Sequence, residues 1–197
     1  MSLIQKLSSS ILIRREALLE IISLLAVFGS FLEITAGMWD ATSHILREPE
    51  SFWTIQHVAV YTGVAMIAGS GILGAIFLIT KKVTGNLKRG LQIIIIGSAL
   101  QVSAGYADSL SHDLFGIDGL VSWSHQPLEI GLLLSALGGF LIMTVMKNQK
   151  FKKLLPVSIL TLIFSISWLG FNLSLIFASP VLCTLVYKIF SSGCAVL

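Results

Sequence analysis

Five stretches of this chain run for about 20 residues each with almost no charge, the length a helix needs to cross the hydrocarbon layer of a membrane. They fall at roughly 17–38, 58–80, 90–110, 126–146 and 155–178, with a shorter sixth at about 181–197. Nothing in lipid can hydrogen-bond an exposed peptide group, so runs of this kind fold as helices that satisfy their own backbone. Composition agrees: 55% of the 197 residues are hydrophobic and 12% are charged, with a mean hydropathy of +0.90. A water-soluble domain carries about twice that charged fraction. The expected fold class is all-α, an integral membrane helical bundle of five to six transmembrane helices whose first partner is the lipid bilayer.

The charges that remain are grouped. Lys6, Arg14 and Arg15 precede the first run, Lys81, Lys82, Lys88 and Arg89 fill the second connection, and Lys147, Lys150, Lys152 and Lys153 fill the fourth. The first connection has only Arg47 beside Glu48 and Glu50, and the third has Asp113 and Asp118 with no Lys or Arg. Basic connections stay on the cytoplasmic side. The N-terminus is therefore expected inside, in a plasma or intracytoplasmic membrane, with the first and third connections facing outward. The net charge of +3 and the pI near 9.0 then record topology rather than a nucleic-acid partner. Residues 1–16 set Leu3, Ile4, Leu7, Ile11 and Leu12 among Lys6 and several serines, the pattern of an amphipathic helix lying on the membrane surface. A cleaved leader is the competing reading, but the run after Arg15 is too long for one and contains Glu20 and Glu33. Cys183 and Cys194 have neither a CxxC spacing nor a histidine nearby, so buried thiols are expected ahead of a disulfide or a metal site.

Displacing the chain by 68 residues lays AGMWDATSHIL over AGYADSLSHDL and then His57 over His125. Identical pairs include Ala36/Ala104, Gly37/Gly105, Asp40/Asp108, Ser43/Ser111, His44/His112, Leu46/Leu114, Gly63/Gly131, Ala68/Ala136 and Gly71/Gly139. Residues 17–80 thus form a first helical hairpin and 90–146 a second, with C-terminal membrane helices over 155–197. An even number of crossings separates the copies, so they run parallel, related by a pseudo-two-fold axis along the membrane normal. Apolar helices share a small alphabet and some matches arise by chance. Chance is the weaker account here, because all four histidines fall into register and each pair has an aspartate at the same offset.

That register defines a motif, Asp-x3-His-x12-His, used twice: Asp40, His44 and His57, then Asp108, His112 and His125. Residues four apart share a helix face, so Asp40 and His44 point to one spot near the outer end of the first helix. An antiparallel hairpin brings His57, at the start of the next helix, alongside. One carboxylate and two imidazoles leave coordination positions open and suit copper, zinc or iron, with copper favoured by affinity. The same face continues inward as Glu33, Gly37, Asp40, His44, and in the second copy as Gln101, Gly105, Asp108, His112. The glycine step would let another helix or a small substrate approach. Tyr61 and Glu129 lie four residues past His57 and His125. Glu33, Tyr61, Asp113 and Glu129 are accordingly candidate additional ligands or hydrogen-bond partners of the ligands. The plainer reading is that His and Asp near helix ends hydrate the membrane boundary. Against it, acids within a membrane segment are costly and usually functional, and here one pattern uses every histidine. Trp39, Trp53 and Trp123 read as ordinary interface anchors. Ser43 and Ser111 are placed to hydrogen-bond a site without proving one.

In Asp40, His44 and His57 the chain resembles the copper motif of the C subunit of the copper membrane monooxygenases, which oxidise methane, ammonia and short alkanes. The order is the same, and Phe52 and Trp53 occupy the phenylalanine-bearing segment before the last histidine. Asp108, His112 and His125 resemble the family's second cluster, with Asp108 where the family has asparagine and the last spacing one residue shorter. The resemblance covers roughly residues 30–140. It implies a membrane metal-binding subunit, a copper-dependent oxidoreductase component working with other membrane subunits. Two further classes stay open: a membrane copper or zinc binding or transport protein, for example as a homo-oligomer, and a metal-dependent membrane hydrolase with Glu129 or Asp113 as base. Bis-histidine haem would leave the paired aspartates unexplained.

Overall fold

The structure is a computed structural model that describes the backbone of residues 3–46, 53–115 and 125–177, and the side chains of 15–43, 46, 53–107, 110 and 125–177. The described residues are helical apart from short connections: α1 (Leu3–Leu46), α2 (Ile55–Thr80), α3 (Gly85–Phe115), α4 (His125–Val145), the single turn α5 (Gln149–Lys152) and α6 (Leu155–Phe177). Five of them contain stretches long and apolar enough to cross a membrane, namely Arg15–Ser43, Ile55–Thr80, Gly85–Ala107, His125–Val145 and Leu155–Phe177. The chain is an all-α membrane bundle. The sixth span expected over 181–197 lies outside the described residues, as do Cys183 and Cys194.

The helices overrun the apolar runs that announced them. Residues 3–16 do not form a separate element but begin α1, a continuous helix of 44 residues. At a rise of about 1.5 Å per residue such a helix is about 66 Å long, roughly twice the hydrocarbon thickness, so its polar ends extend past the lipid. Once a helix is nucleated, each further residue adds a hydrogen bond for little cost, and no Gly or Pro interrupts residues 3–28. Between α2 and α3 the chain turns within Lys81–Thr84, and Gly85 takes φ +64, a left-handed conformation that a side chain would oppose.

α1 packs on α2, α2 on α3, α3 on α4, and α4 back on α1, closing a four-helix square, with α6 laid outside against α4 and α1. Lipid gives apolar helices no reason to prefer one another over acyl chains. Close backbone approach at small residues and interhelical hydrogen bonds supply the specificity instead. In the first hairpin a Cβ on Gly63 would stand 2.8 Å from the Gly29 carbonyl and 2.9 Å from Glu33. In the second, a Cβ on Gly131 would stand 2.8 Å from the Gly97 carbonyl and 2.9 Å from Gln101. The second set lies 68 residues after the first, the separation of Glu33 from Gln101. The interfaces between hairpins use equivalent glycines with different neighbours: Gly71 of α2 abuts Ser98 of α3, and Gly139 of α4 abuts Ala26 and Val27 of α1.

One bond places the symmetry axis. Gln101 Nε2 donates to Glu33 Oε1 at 2.8 Å, and these are equivalent positions of the two copies. Equivalent residues of parallel repeats meet only on the axis that relates them, so the pseudo-two-fold runs through this pair. The apolar core, with Ile22, Val27, Phe77, Leu91, Ile94, Ile142 and Met143, fills the other half of the bundle. There Asn148 Nδ2 donates to Glu20 Oε1 at 2.7 Å, and the Arg15 guanidinium lies 5.7 Å from the centre of the Phe77 ring, a cation–π contact. Twenty residues of α1 separate Glu20 from Asp40, about 30 Å along the axis. The two polar ends of α1's core are thus one hydrocarbon thickness apart.

Candidate metal centre at the histidine end

The ends of α1 and α3 and the starts of α2 and α4 meet at the end of the bundle opposite the lysine-rich connections. There Asp40 Oδ1 lies 2.9 Å from His57 Nε2. The close contact of Gly29 with Gly63 holds α1 and α2 near enough for two short side chains, one from each helix, to touch. Both are partly buried, with side-chain exposures of 22% for His57 and 21% for Asp40. The other ring nitrogen, His57 Nδ1, is 3.0 Å from the Thr54 hydroxyl. Thr54 is the residue capping α2, yet its side chain makes no capping bond to the helix backbone. A threonine at this position ordinarily accepts from an N–H of the first turn. Here the hydroxyl is turned to the imidazole instead. The Tyr61 ring, one turn along α2, is tilted against His57 with ring centres 6.2 Å apart.

This arrangement suits a metal ion. Ligand bonds of about 2.0–2.2 Å set two donors on one ion about 3 Å apart when the angle between them is near 90°, and somewhat farther apart at tetrahedral angles. Asp40 Oδ1 and His57 Nε2 already stand at that spacing. With an ion bound at Nε2, the Thr54 hydroxyl would accept from Nδ1–H, the partner a ligating imidazole needs on its remote nitrogen. His44 follows Asp40 by four residues, one turn along the same helix, and its side chain lies outside the described residues. Among the described residues no group of three His, Cys, Asp or Glu side chains gathers.

The second copy is described only in part. His125 opens α4 and is half-buried; the side chains of Asp108, His112 and Asp113 lie outside the described residues, as do Phe52 and Trp123. No described neighbour comes within 4 Å of a Cβ built on Gly37, and only Leu128 approaches Gly105, at 3.7 Å. Among the described residues Gly37 therefore meets no neighbour, while Gly105 is in ordinary contact with α4.

The inward carboxyls belong to a different layer. Glu33 lies seven residues before Asp40, about 10 Å deeper along α1, where it accepts from Gln101. Glu129 is buried on α4, next to Leu128, whose carbonyl accepts from Gln101 at 2.9 Å. The sequence pairs Glu33 with Gln101 by register but does not show that they touch. That contact needs α1 and α3 to be diagonal across a square, which only the packing establishes. Thr54 was the other residue the sequence left unremarked, and its position three before His57 is the signal that finds it. No protein-family model matches the chain, and no curated protein or solved structure matches it either.

Proposed function

We propose that this chain is a membrane metal-binding subunit that holds a first-row transition ion, copper foremost, between Asp40 and His57, with His44 as third ligand. Its second motif, Asp108, His112 and His125, would hold another ion. The single observation that carries this reading is the 2.9 Å approach of Asp40 Oδ1 to His57 Nε2, with Thr54 braced behind the ring. A hydrogen bond between the same two atoms would explain the distance alone. A bound ion would in addition give a role to His44, one turn beyond Asp40 on the same helix. The histidine end faces outward, because the opposite end carries the lysine connections.

By its resemblance the chain is the copper-site subunit of an oxygenase for ammonia, methane or a short alkane. Bound copper would supply the redox chemistry toward dioxygen. The chain itself would supply a site at the membrane boundary, beside Gly37, which meets no described neighbour within 4 Å, for a substrate dissolved in lipid. Electrons and further subunits come from partners.

Metal analysis of the full chain purified in lipid tests the reading. Copper at one or two per chain, lost in His57→Ala and in Asp40→Asn, is the expected result. Co-purification with other membrane subunits supports the oxygenase assignment. Zinc in place of copper would move the assignment to zinc handling or to hydrolysis by a metal-bound water. A chain free of any transition ion after purification without chelators, and unable to take up copper, overturns it.

A further inference from the structure

Three oxygen atoms in the middle of the bundle lack hydrogen-bond partners. Glu33 of α1, Gln101 of α3 and Glu129 of α4 are all more than nine-tenths buried, with exposures of 7%, 0% and 8%. The Gln101 amide nitrogen makes two bonds, to Glu33 Oε1 at 2.8 Å and to the Leu128 carbonyl at 2.9 Å. Both acceptors are oxygens, so the amide cannot be turned over without setting its own oxygen against them. Its orientation is fixed, and Gln101 Oε1 is left without a donor, as are Glu33 Oε2 and Glu129 Oε2. Glu33 and Gln101 are joined by their hydrogen bond, and Gln101 also holds the carbonyl of Leu128, the residue before Glu129 on α4. Buried polar atoms are almost always paired with protein, water or an ion, and two carboxyls in a membrane interior with orphaned oxygens call for positive charge.

The geometry points to an all-oxygen cation site on the pseudo-two-fold axis, formed by Glu33, Gln101 and Glu129, that takes a hard divalent cation of the calcium class. Two carboxylates and one amide carbonyl are the donors such ions select, and imidazole is not among them. A divalent ion with two carboxylates is neutral overall, which suits a site surrounded by lipid-facing helices. Calcium completes its coordination with bidentate carboxylates and water in flexible geometry, whereas magnesium demands a near-ideal octahedron that side chains from three separate helices supply poorly. The site is also where the two copies of the repeat differ: Gln101 stands where the first copy has Glu33, and Glu129 where the first copy has Tyr61. Those two exchanges leave two carboxyls and one amide at the junction of the hairpins. Bound there, the ion ties α1, α3 and α4 together beneath the histidine end and fixes the height at which Asp40 is presented.

The inference does not rest on the transition-metal reading, and one set of variants separates the two. Radioactive calcium binding is measured on the full chain in nanodiscs of zwitterionic lipid, for the wild type, Glu33→Gln, Glu129→Gln and His57→Ala. One calcium per chain is expected, with affinity reduced about a hundredfold by either glutamine variant and unchanged by His57→Ala, which instead loses copper. Since a glutamine variant could fail to fold, the infrared carboxyl bands of the wild type give an independent readout. Calcium is expected to shift the carboxylate stretches of two buried groups. A protonated-carboxyl band that persists at saturating calcium and disappears in Glu33→Gln would overturn the site, showing that protons alone satisfy these oxygens. Calcium binding that survives both glutamine variants, or is absent from the wild type, would do the same.

Discussion

Gly63 is the position at which the packing argument is most exposed to test. A Cβ there would stand 2.8 Å from the Gly29 carbonyl oxygen and 2.9 Å from both the nitrogen and the Cβ of Glu33, where ordinary contact begins at 3.4 Å. All three opposing atoms lie on or beside the backbone of α1, so no side chain can rotate away and the helices themselves must separate. Overpacking of this kind costs about 1–3 kcal/mol, a factor of about 5 to 150 in the unfolding equilibrium. Gly37→Ala is the internal control. Nothing described lies within 4 Å of its Cβ, so the better helix propensity of alanine should be realised, a gain of up to about 1 kcal/mol. Gly131→Ala repeats the first experiment in the second hairpin, where the corresponding approaches are 2.8, 2.9 and 3.0 Å. Its cost should match that of Gly63→Ala. Unfolding in mixed micelles, titrated with a denaturing detergent and read by helicity, measures all three. Gly63→Ala should also weaken copper uptake, because moving α2 off α1 stretches the Asp40–His57 approach. Wild-type stability in Gly63→Ala, or a loss in Gly37→Ala as large as in Gly63→Ala, would refute the claim that glycine contacts hold the hairpins.

Three more outcomes follow from the same geometry. Thr54→Val, which keeps the shape but removes the hydroxyl behind His57, should lower copper affinity by about tenfold or more while leaving helicity intact; competition with a copper chelator measures this. Ser30→Ala removes a hydroxyl that donates to its own helix at Ala26 and across to the Leu132 carbonyl at 3.3 Å; its cost should stay near the roughly 0.6 kcal/mol average for interhelical bonds in membranes, read in the same micelle titration. Stripping the transition ion should lower stability by about 2.7 kcal/mol relative to protein in copper at a hundred times its dissociation constant, and His57→Ala should show no such difference between stripped and copper-loaded samples.

Much of this architecture can be read from the chain before any packing is known. Hydrocarbon thickness and the need to satisfy every peptide group dictate helices wherever about 20 residues run without charge, and an internal displacement of 68 residues pairs Glu33 with Gln101 and Gly63 with Gly131 as equivalents. Asp40, His44 and His57 could be placed at one end of one hairpin, because helical period and an antiparallel turn leave no other arrangement. Where α1 begins was not readable, since residues 3–16 are polar enough to look like a separate surface helix and only the backbone shows them continuous with the span. Nor did periodicity reveal that Thr54 turns to His57 instead of to its own helix, or that Glu33 reaches its counterpart on α3 and not the aspartate above it on α1. Those outcomes depend on which glycines meet across which interface. Interhelical distance in a membrane is decided by the fit of two surfaces, a property of pairs of helices that no single segment encodes.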